Sequence, residues 1–181
     1  LGVKRNLLRR LQQRGYCLYV LPPETPVEEI LACKPDGLVI SNGPGAPTEL
    51  AAIAAEVGKV ISRLPVLGIG LGLQLLALAA GGETFQLPCG HRGNYPVVSS
   101  LTGQATITAQ NHGYAVRAEA LRGTGLKVLY TNVNDGTVEG MFHDRYDLLA
   151  VEFYPEGAPG PECEEIFARF DQMVRGSAVH A

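Results

Sequence analysis

At 181 residues, 46% of them hydrophobic and 18% charged with no run of like charge, the chain carries enough apolar material for one domain with a sizeable core and too little length for two ordinary ones. A formal charge of -3 leaves no electrostatic footprint for nucleic acid or an anionic membrane, and no stretch approaches the ~20 uninterrupted apolar residues of a membrane span. Neither kind of partner is expected.

In chain order, Val3, Leu7, Leu8 and Leu11 recur at helical spacing among basic residues, and Gly15 closes the segment, which predicts an amphipathic helix over 3–14. Cys17 to Leu21 reads as a strand. Thr25-Pro26-Val27-Glu28 has the form of a capping box with proline at the first helical position and predicts a short helix to about Ala32. Gly37 to Ile40 is the next buried strand, 48–64 is helical in pattern, and Val66 to Ile69 is a strand that turns into a helix ended by Gly81-Gly82. The alternation argues for an α/β fold, a mostly parallel sheet with helices on both faces. Thr84 to Leu87 reads as a short strand. The second half changes character: 105–109, 126–130, 137–142 and 148–153 are short β-branched or aromatic segments between Gly, Asn and Asp turns, which suggests hairpins added to the parallel core. An amphipathic helix over 164–175 closes the chain.

Cys17, Cys33, Cys89 and Cys163 are scattered, with no C-x-x-C pair and no histidine at ligand spacing. Neither a disulfide framework nor a metal site is indicated, no cofactor is expected, and a reducing cytoplasm is the expected location. Leu1 to Asn6 shows no signal-peptide pattern.

The most informative stretch is Pro65 to Ala80. A buried strand passing through Gly68-Ile69-Gly70-Leu71-Gly72 into a helix has the form of a nucleophile elbow, where one residue is held in a strained backbone conformation above the sheet. The apex is Gly70, which has no side chain. Ser41-Asn42-Gly43-Pro44-Gly45-Ala46-Pro47 follows a strand at the end where open parallel sheets bind ligands, and by residue type alone it reads as a tight turn.

Taken with Gly90-His91-Arg92-Gly93-Asn94-Tyr95-Pro96-Val97, which matches a loop motif, and with Gln110-Asn111-His112-Gly113-Tyr114-Ala115-Val116, Asn132 to Gly140 and Ala150-Val151-Glu152-Phe153-Tyr154-Pro155-Glu156, these segments resemble, in order, the motifs of the class I glutamine amidotransferases. The branch resembled is that of the carbamoyl-phosphate synthetase small subunit, over Val3 to about Val174. The resemblance implies a flavodoxin-like α/β fold. It also implies a single domain over 1–181, without the family's N-terminal docking domain and without the strand that precedes its first helix. Either the sequence is a piece of a longer polypeptide or the sheet lacks that strand.

By the same resemblance, Gly70, Tyr154 and Glu156 occupy the positions of the catalytic cysteine, histidine and glutamate, the first two of them degenerate. Gly43, Gly45, Leu71, Gln74, Asn111, Gly113 and Tyr114 fall on positions that contact glutamine. Leu73 replaces a histidine and removes a polar group from the pocket floor, and the usual aspartate of the oxyanion strand is Ala46. The expectation is a pseudoenzyme without glutaminase activity, a scaffold or regulator of an ammonia-using ligase that serves arginine and pyrimidine biosynthesis. The partners it implies are glutamine and the synthetase large subunit. Two alternatives stay open: a free-standing glutamine or small-molecule binding module, and an active glutamine-hydrolysing subunit whose missing groups come from elsewhere.

Overall fold

The computed structural model describes residues 1–157 and 161–178. The first helix, α1 (Arg5–Gln13), is followed by α2 (Val27–Ala32), β1 (Leu38–Ile40), a 3-10 turn at Pro47–Leu50 and α3 (Ala51–Gly58). Next come β2 (Val66–Ile69), α4 (Leu71–Ala79), the long hairpin of β3 (Thr84–Ser99) and β4 (Ala105–Val116), and a 3-10 turn at Ala118–Leu121. The chain ends with β5 (Leu126–Asn132), β6 (Val138–His143), β7 (Leu148–Val151) and α5 (Pro161–Ala178). No helix among the described residues is long and apolar enough to cross a membrane.

All seven strands join one sheet in the order β1-β2-β7-β6-β4-β3-β5, and β5 also pairs with β6. Only β1–β2 and β2–β7 are parallel, and the other pairings are antiparallel. The expectation of a mostly parallel sheet is therefore corrected. A three-stranded parallel core is fused to a ring of antiparallel strands, β3, β4, β5 and β6, that closes on itself and so leaves few free edges. The segment at 148–153 is not an added hairpin either: β7 lies in the parallel core beside β2 and hands the sheet over to β6.

Helices do cover both faces of the parallel part, because successive strand residues point to opposite sides. Val66 on β2, with Leu148 and Ala150 on β7, packs with Ala54 and Val57 of α3 and with Leu73 and Leu76 of α4. Leu67 and Ile69, with Leu149 and Val151, pack on the other face with Leu7 and Leu11 of α1 and with Ile166, Phe167 and Phe170 of α5. Arg14 links α1 to α5 through Asp171 (3.1 Å) and Glu164 (3.2 Å), and the Tyr16 hydroxyl donates to Asp171 at 2.7 Å.

Three local expectations fail for identifiable reasons. Residues 17–21 run without a ladder partner among the described residues, and Tyr19 and Val20 are 70% and 61% exposed, so apolar character alone does not make them a strand. The Thr25 hydroxyl turns back to Pro22 O (2.8 Å) instead of capping α2, and the N-H of Val27 is met by Glu56 of α3 (3.0 Å). The segment 90–97, expected as a loop, lies within β3 and is paired with β4 beyond a register shift between Gln86 and His91.

The β2–α4 junction depends on glycines with different tasks. A Cβ on Gly72 would run into the carbonyl of Ile40, and one on Gly68 would sit 2.5 Å from Leu76 Cδ1 and 3.0 Å from Ala150 Cβ. Gly70 is required for its backbone, at φ 57 and ψ -116, rather than for space. Replacing Gly72 by Ala should lower stability by about 2–4 kcal/mol, since it forces backbone apart in a packed core. Gly113→Ala, whose Cβ meets nothing within 4 Å, is the control and should stay within about 0.5 kcal/mol of the parent in urea unfolding.

Candidate functional site

The C-terminal ends of the parallel strands open into a cleft of about 450 Å³, within the usual range for small-ligand sites. Four segments build it: Asn42 to Ala46 after β1, Gly70 to Gln74 at the start of α4, Asn111 to Tyr114 in β4, and Glu152 to Tyr154 after β7. Nine of the residues singled out in the sequence line this one cleft: Gly43, Gly45, Gly70, Leu71, Gln74, Asn111, Gly113, Tyr114 and Tyr154. Glu156 does not. Leu73, expected on the pocket floor, is fully buried in the core on the α3 side of the sheet, because on α4 it falls on the inward face while Leu71 and Gln74 face the cleft.

At the apex, Gly70 N-H donates to Val151 O (2.8 Å) and its carbonyl accepts from Leu73 (2.8 Å) and Gln74 (3.3 Å). The N-H groups of Leu71 and Gly72, in the first turn of α4, have no acceptor within the helix, as at any helix start. A Cβ at Gly70 would lie 3.4 Å from Asn42 Cβ and 3.7 Å from Glu152 O, so a side chain has room there at the cost of a strained φ. No thiol or aliphatic hydroxyl lines the cleft among the described residues. Cys89 is exposed, whereas His91, two residues on, is buried.

Tyr154 is held at both ends. Its backbone N-H donates to Ala109 O (2.9 Å), its hydroxyl donates to Asn111 O (3.2 Å), and Lys4 Nζ sits 3.1 Å from its ring centroid. Burial, with the charges of Glu152 and Glu156, pushes its phenol further above the usual range and away from any role as a base at neutral pH. The Glu156 carboxylate is buried and faces Lys4 Nζ at 3.9 Å. Burial raises its pKa, its own backbone N-H and Lys4 pull the other way, and the net is upward. Burial in turn lowers Lys4, against the pull of Glu156.

Sequence reasoning missed the polar wall behind this frame. Gln74 Nε2 donates to Glu152 Oε1 (2.7 Å) and to Tyr114 O (3.3 Å), which ties the helix start to β4 and to the chain after β7. His112 Nδ1 lies 2.8 Å from Tyr114 O and 3.7 Å from Glu152. Burial opposes a charge on His112, but the hydrogen bond to Glu139 and the charges of Glu152 and Glu139 outweigh it and raise its pKa to about 9. Glu152, fully buried, is pushed up to about 7, first by burial and then by Glu139, with His112 and Gln74 opposing. Glu49, Gln86 and Arg92 complete the lining. They come from the turn after β1 and from β3; no motif marks Glu49 or Gln86, while Arg92 stands inside Gly90-His91-Arg92-Gly93 without an assigned role. His112 was legible, since it stands inside Gln110-Asn111-His112-Gly113.

The model of the family described as glutamine amidotransferase class-I matches residues 1–173. The chain belongs to this family. Within it, the chain is 46% identical over 177 residues to the carbamoyl phosphate synthase small chain of Listeria monocytogenes serotype 4b, a match that takes in 97% of this chain and 49% of that one. Over 176 residues it is 46% identical to the protein of the same name from Methanopyrus kandleri, 96% of this chain and 49% of that one. The chain thus spans about half the length of the curated relatives it matches. Among solved structures, a Thermoplasma acidophilum protein provisionally called a GMP synthase component superposes with a TM-score of 0.82 at 22% identity, over 96% of this chain and 89% of that one. A glutamine amidotransferase from Thermotoga maritima gives 0.66 at 17%, over 97% and 83%. Those two likenesses establish the amidotransferase α/β fold.

The buried Glu152 yields a pH test. In the folded chain it keeps its proton to about pH 7, whereas an unfolded glutamate releases it near 4.5. Between those values the folded state binds more protons than the unfolded, so stability falls as pH rises through the window and stays lower above it. Glu152→Gln keeps an acceptor for Gln74 and removes the charge. Its melting temperature relative to the parent should rise steadily from pH 5 to pH 8, and a constant difference across that range would contradict the assignment.

Proposed function

We propose that this chain is a carbamoyl-phosphate synthetase small-subunit type amidotransferase domain that has lost glutamine hydrolysis and serves as a scaffold or regulator of a synthetase that uses ammonia. The observation that carries the reading is Gly70 at the apex of an intact elbow, in a cleft that offers no thiol in its place. The reaction needs a thiolate to attack the amide carbon, an imidazole near neutrality to move protons, and a carboxylate to hold the imidazole's tautomer. Gly70 provides no thiolate. Tyr154, its phenol raised and its hydroxyl given to Asn111 O, provides no imidazole, and Glu156 faces Lys4 instead of a histidine.

Loss of the nucleophile or base of a triad costs on the order of 10⁶ in rate, about 8 kcal/mol of barrier, and losing both costs little more because they act as a unit. That is enough to end glutaminase activity while leaving the fold alone. Gly43, Gly45, Leu71, Gln74, Asn111, Gly113 and Tyr114 are proposed to retain contacts to a ligand through backbone and side chain. The partner by this reading is a synthetase large subunit, and the domain is the single unit over 1–181.

One observation favours a second reading, a free-standing amino-acid binding module. The cleft carries both a carboxylate, Glu49, and a guanidinium, Arg92, which suit the ammonium and carboxylate of a zwitterion. An active glutaminase is the least favoured reading, since it needs a nucleophile from outside the cleft.

The test compares the natural chain with Gly70→Cys/Tyr154→His for glutamine binding by calorimetry and for ammonia release. Leu73 stays unchanged, because a histidine there would be buried in the core. The natural chain should release no ammonia above the uncatalysed background, and the double variant should gain measurable turnover. Hydrolysis by the natural chain would refute the reading. Binding by neither protein would leave only the scaffold role, to be sought as association with a synthetase large subunit.

A further inference from the structure

Behind the Asn111–Tyr114 wall of the cleft, polar atoms from three strands converge on one point. His91 Nδ1 of β3, His112 Nε2 of β4 and Glu139 Oε1 of β6 lie 3.1, 3.2 and 3.5 Å apart, and all three residues are buried. What these atoms present to one another follows from the far side of each ring. His91 Nε2 lies 2.9 Å from Asp135 Oδ2, and an ionised carboxylate only accepts, so Nε2 carries the ring proton and Nδ1 turns a lone pair inward. His112 Nδ1 lies 2.8 Å from the carbonyl of Tyr114, which also only accepts, so a neutral His112 turns a bare Nε2 inward as well.

Glu139 Oε1 adds a third acceptor. Gln110 Oε1 adds a fourth at 3.2 Å from His112 Nε2, its amide orientation set by Nε2 donating to Thr108 Oγ1 at 3.0 Å. The donors that reach this group are distant: Asn132 Nδ2 at 3.3 and 3.4 Å, and Thr137 Oγ1 at 3.4 Å. Glu139 Oε2 has no hydrogen-bond partner among the described residues. Lone pairs and a carboxylate facing one another away from water repel unless a positive charge lies among them.

A proton on His112 can join one side of this triangle, but not three. A metal ion joins all of them. Ligands held ~2.0–2.2 Å from a tetrahedral zinc ion lie roughly 3.3–3.5 Å from each other, and the sides here are 3.1 to 3.5 Å. Both imidazoles are also backed by an acceptor, Asp135 for one and the Tyr114 carbonyl for the other, which is how metal-binding histidines are oriented and made more basic. Two imidazoles with one carboxylate select zinc-class ions over magnesium or calcium, which take oxygen ligands.

We propose that His91, His112 and Glu139 form a closed site for a divalent transition metal of the zinc class, with Gln110 Oε1 in the fourth position. The ion would pin β3, β4 and β6 of the antiparallel ring together. Because His112 stands between Asn111 and Gly113, it would also stiffen the wall of the cleft. Local spacing could not reveal the site, since His91 is 21 residues from His112 and 48 from Glu139.

Metal ligation needs an unprotonated nitrogen on each imidazole, so affinity rises with pH. The test strips the purified chain with EDTA and titrates it with zinc and cobalt chlorides, with magnesium chloride as control. The expected result is one equivalent of zinc, the visible bands of four-coordinate cobalt, a higher melting temperature with zinc, and no response to magnesium. Asp135→Asn, which touches no proposed ligand atom facing the ion, should weaken zinc binding by about 10–100-fold with the circular dichroism spectrum unchanged. His91→Gln and Glu139→Gln should abolish stoichiometric binding. Failure of the folded parent to take up an equivalent, or undiminished uptake by both glutamine variants, would overturn the proposal and leave a proton-sharing network or binding elsewhere.

Discussion

The structure depends on how closely α4 is drawn onto the strands beneath it. Gly72 meets the carbonyl of Ile40 on β1, and Gly68 lies against Leu76 of the same helix and Ala150 of β7. With backbone against backbone at Gly72 and side chains packed directly over Gly68, the turn between them has almost no slack, and Gly70 is left at φ 57. Any L side chain at such an apex would be held in that region against its preference. Glycine occupies it without strain, so the elbow here holds its geometry around a residue that has no side chain. Shape and side-chain chemistry are separable at this turn, because the shape is enforced by Gly68 and Gly72 while Gly70 adds no side-chain group.

A second constraint joins the two halves of the sheet. Gln74 at the start of α4 hydrogen-bonds Glu152 after β7, Glu152 lies beside His112 on β4, and His112 leads on to His91, Glu139 and Asp135 in the antiparallel ring. This polar layer runs from the parallel core, where the cleft opens, into the closed ring. Buried polar groups cost stability unless their partners are placed correctly, so the layer favours one arrangement of core against ring over its alternatives. The cleft-facing segment 111–114 is therefore set from behind by hydrogen bonds as well as by packing.

Much of the fold was legible in the residues. Helical periodicity located α1, α4 and α5, and the buried runs located β1, β2 and β7, because each of these elements is decided by which of its own side chains enter the core. Partner choice was less legible. The segment 90–97 looks like a loop in isolation, with two glycines and a proline, and becomes strand because β4 lies alongside it. Residues 17–21 look like a strand and stay unpaired. The 148–153 segment reads as part of an added hairpin, and its place between β2 and β6 is a matter of topology. At the site, the cleft-lining residues within motifs were identifiable. Glu49 and Gln86 were not, since each reaches the cleft through strand order and not through local pattern, and Arg92 stands in a motif that assigned it no role.

By itself the sequence determined membership of the amidotransferase family and the strand-to-helix elbow with Gly70, a residue without a side chain, at its apex, because these are properties of residue identity at marked positions. Tertiary structure alone decided that Leu73 faces the core while Gln74 faces the cleft, that Glu156 pairs with Lys4, and that His91, His112 and Glu139 meet at one point. The physical reason is the same in each case. Such contacts join residues tens of positions apart, and what brings them within a few ångströms is the closure of the antiparallel ring against a parallel core, which no local pattern encodes.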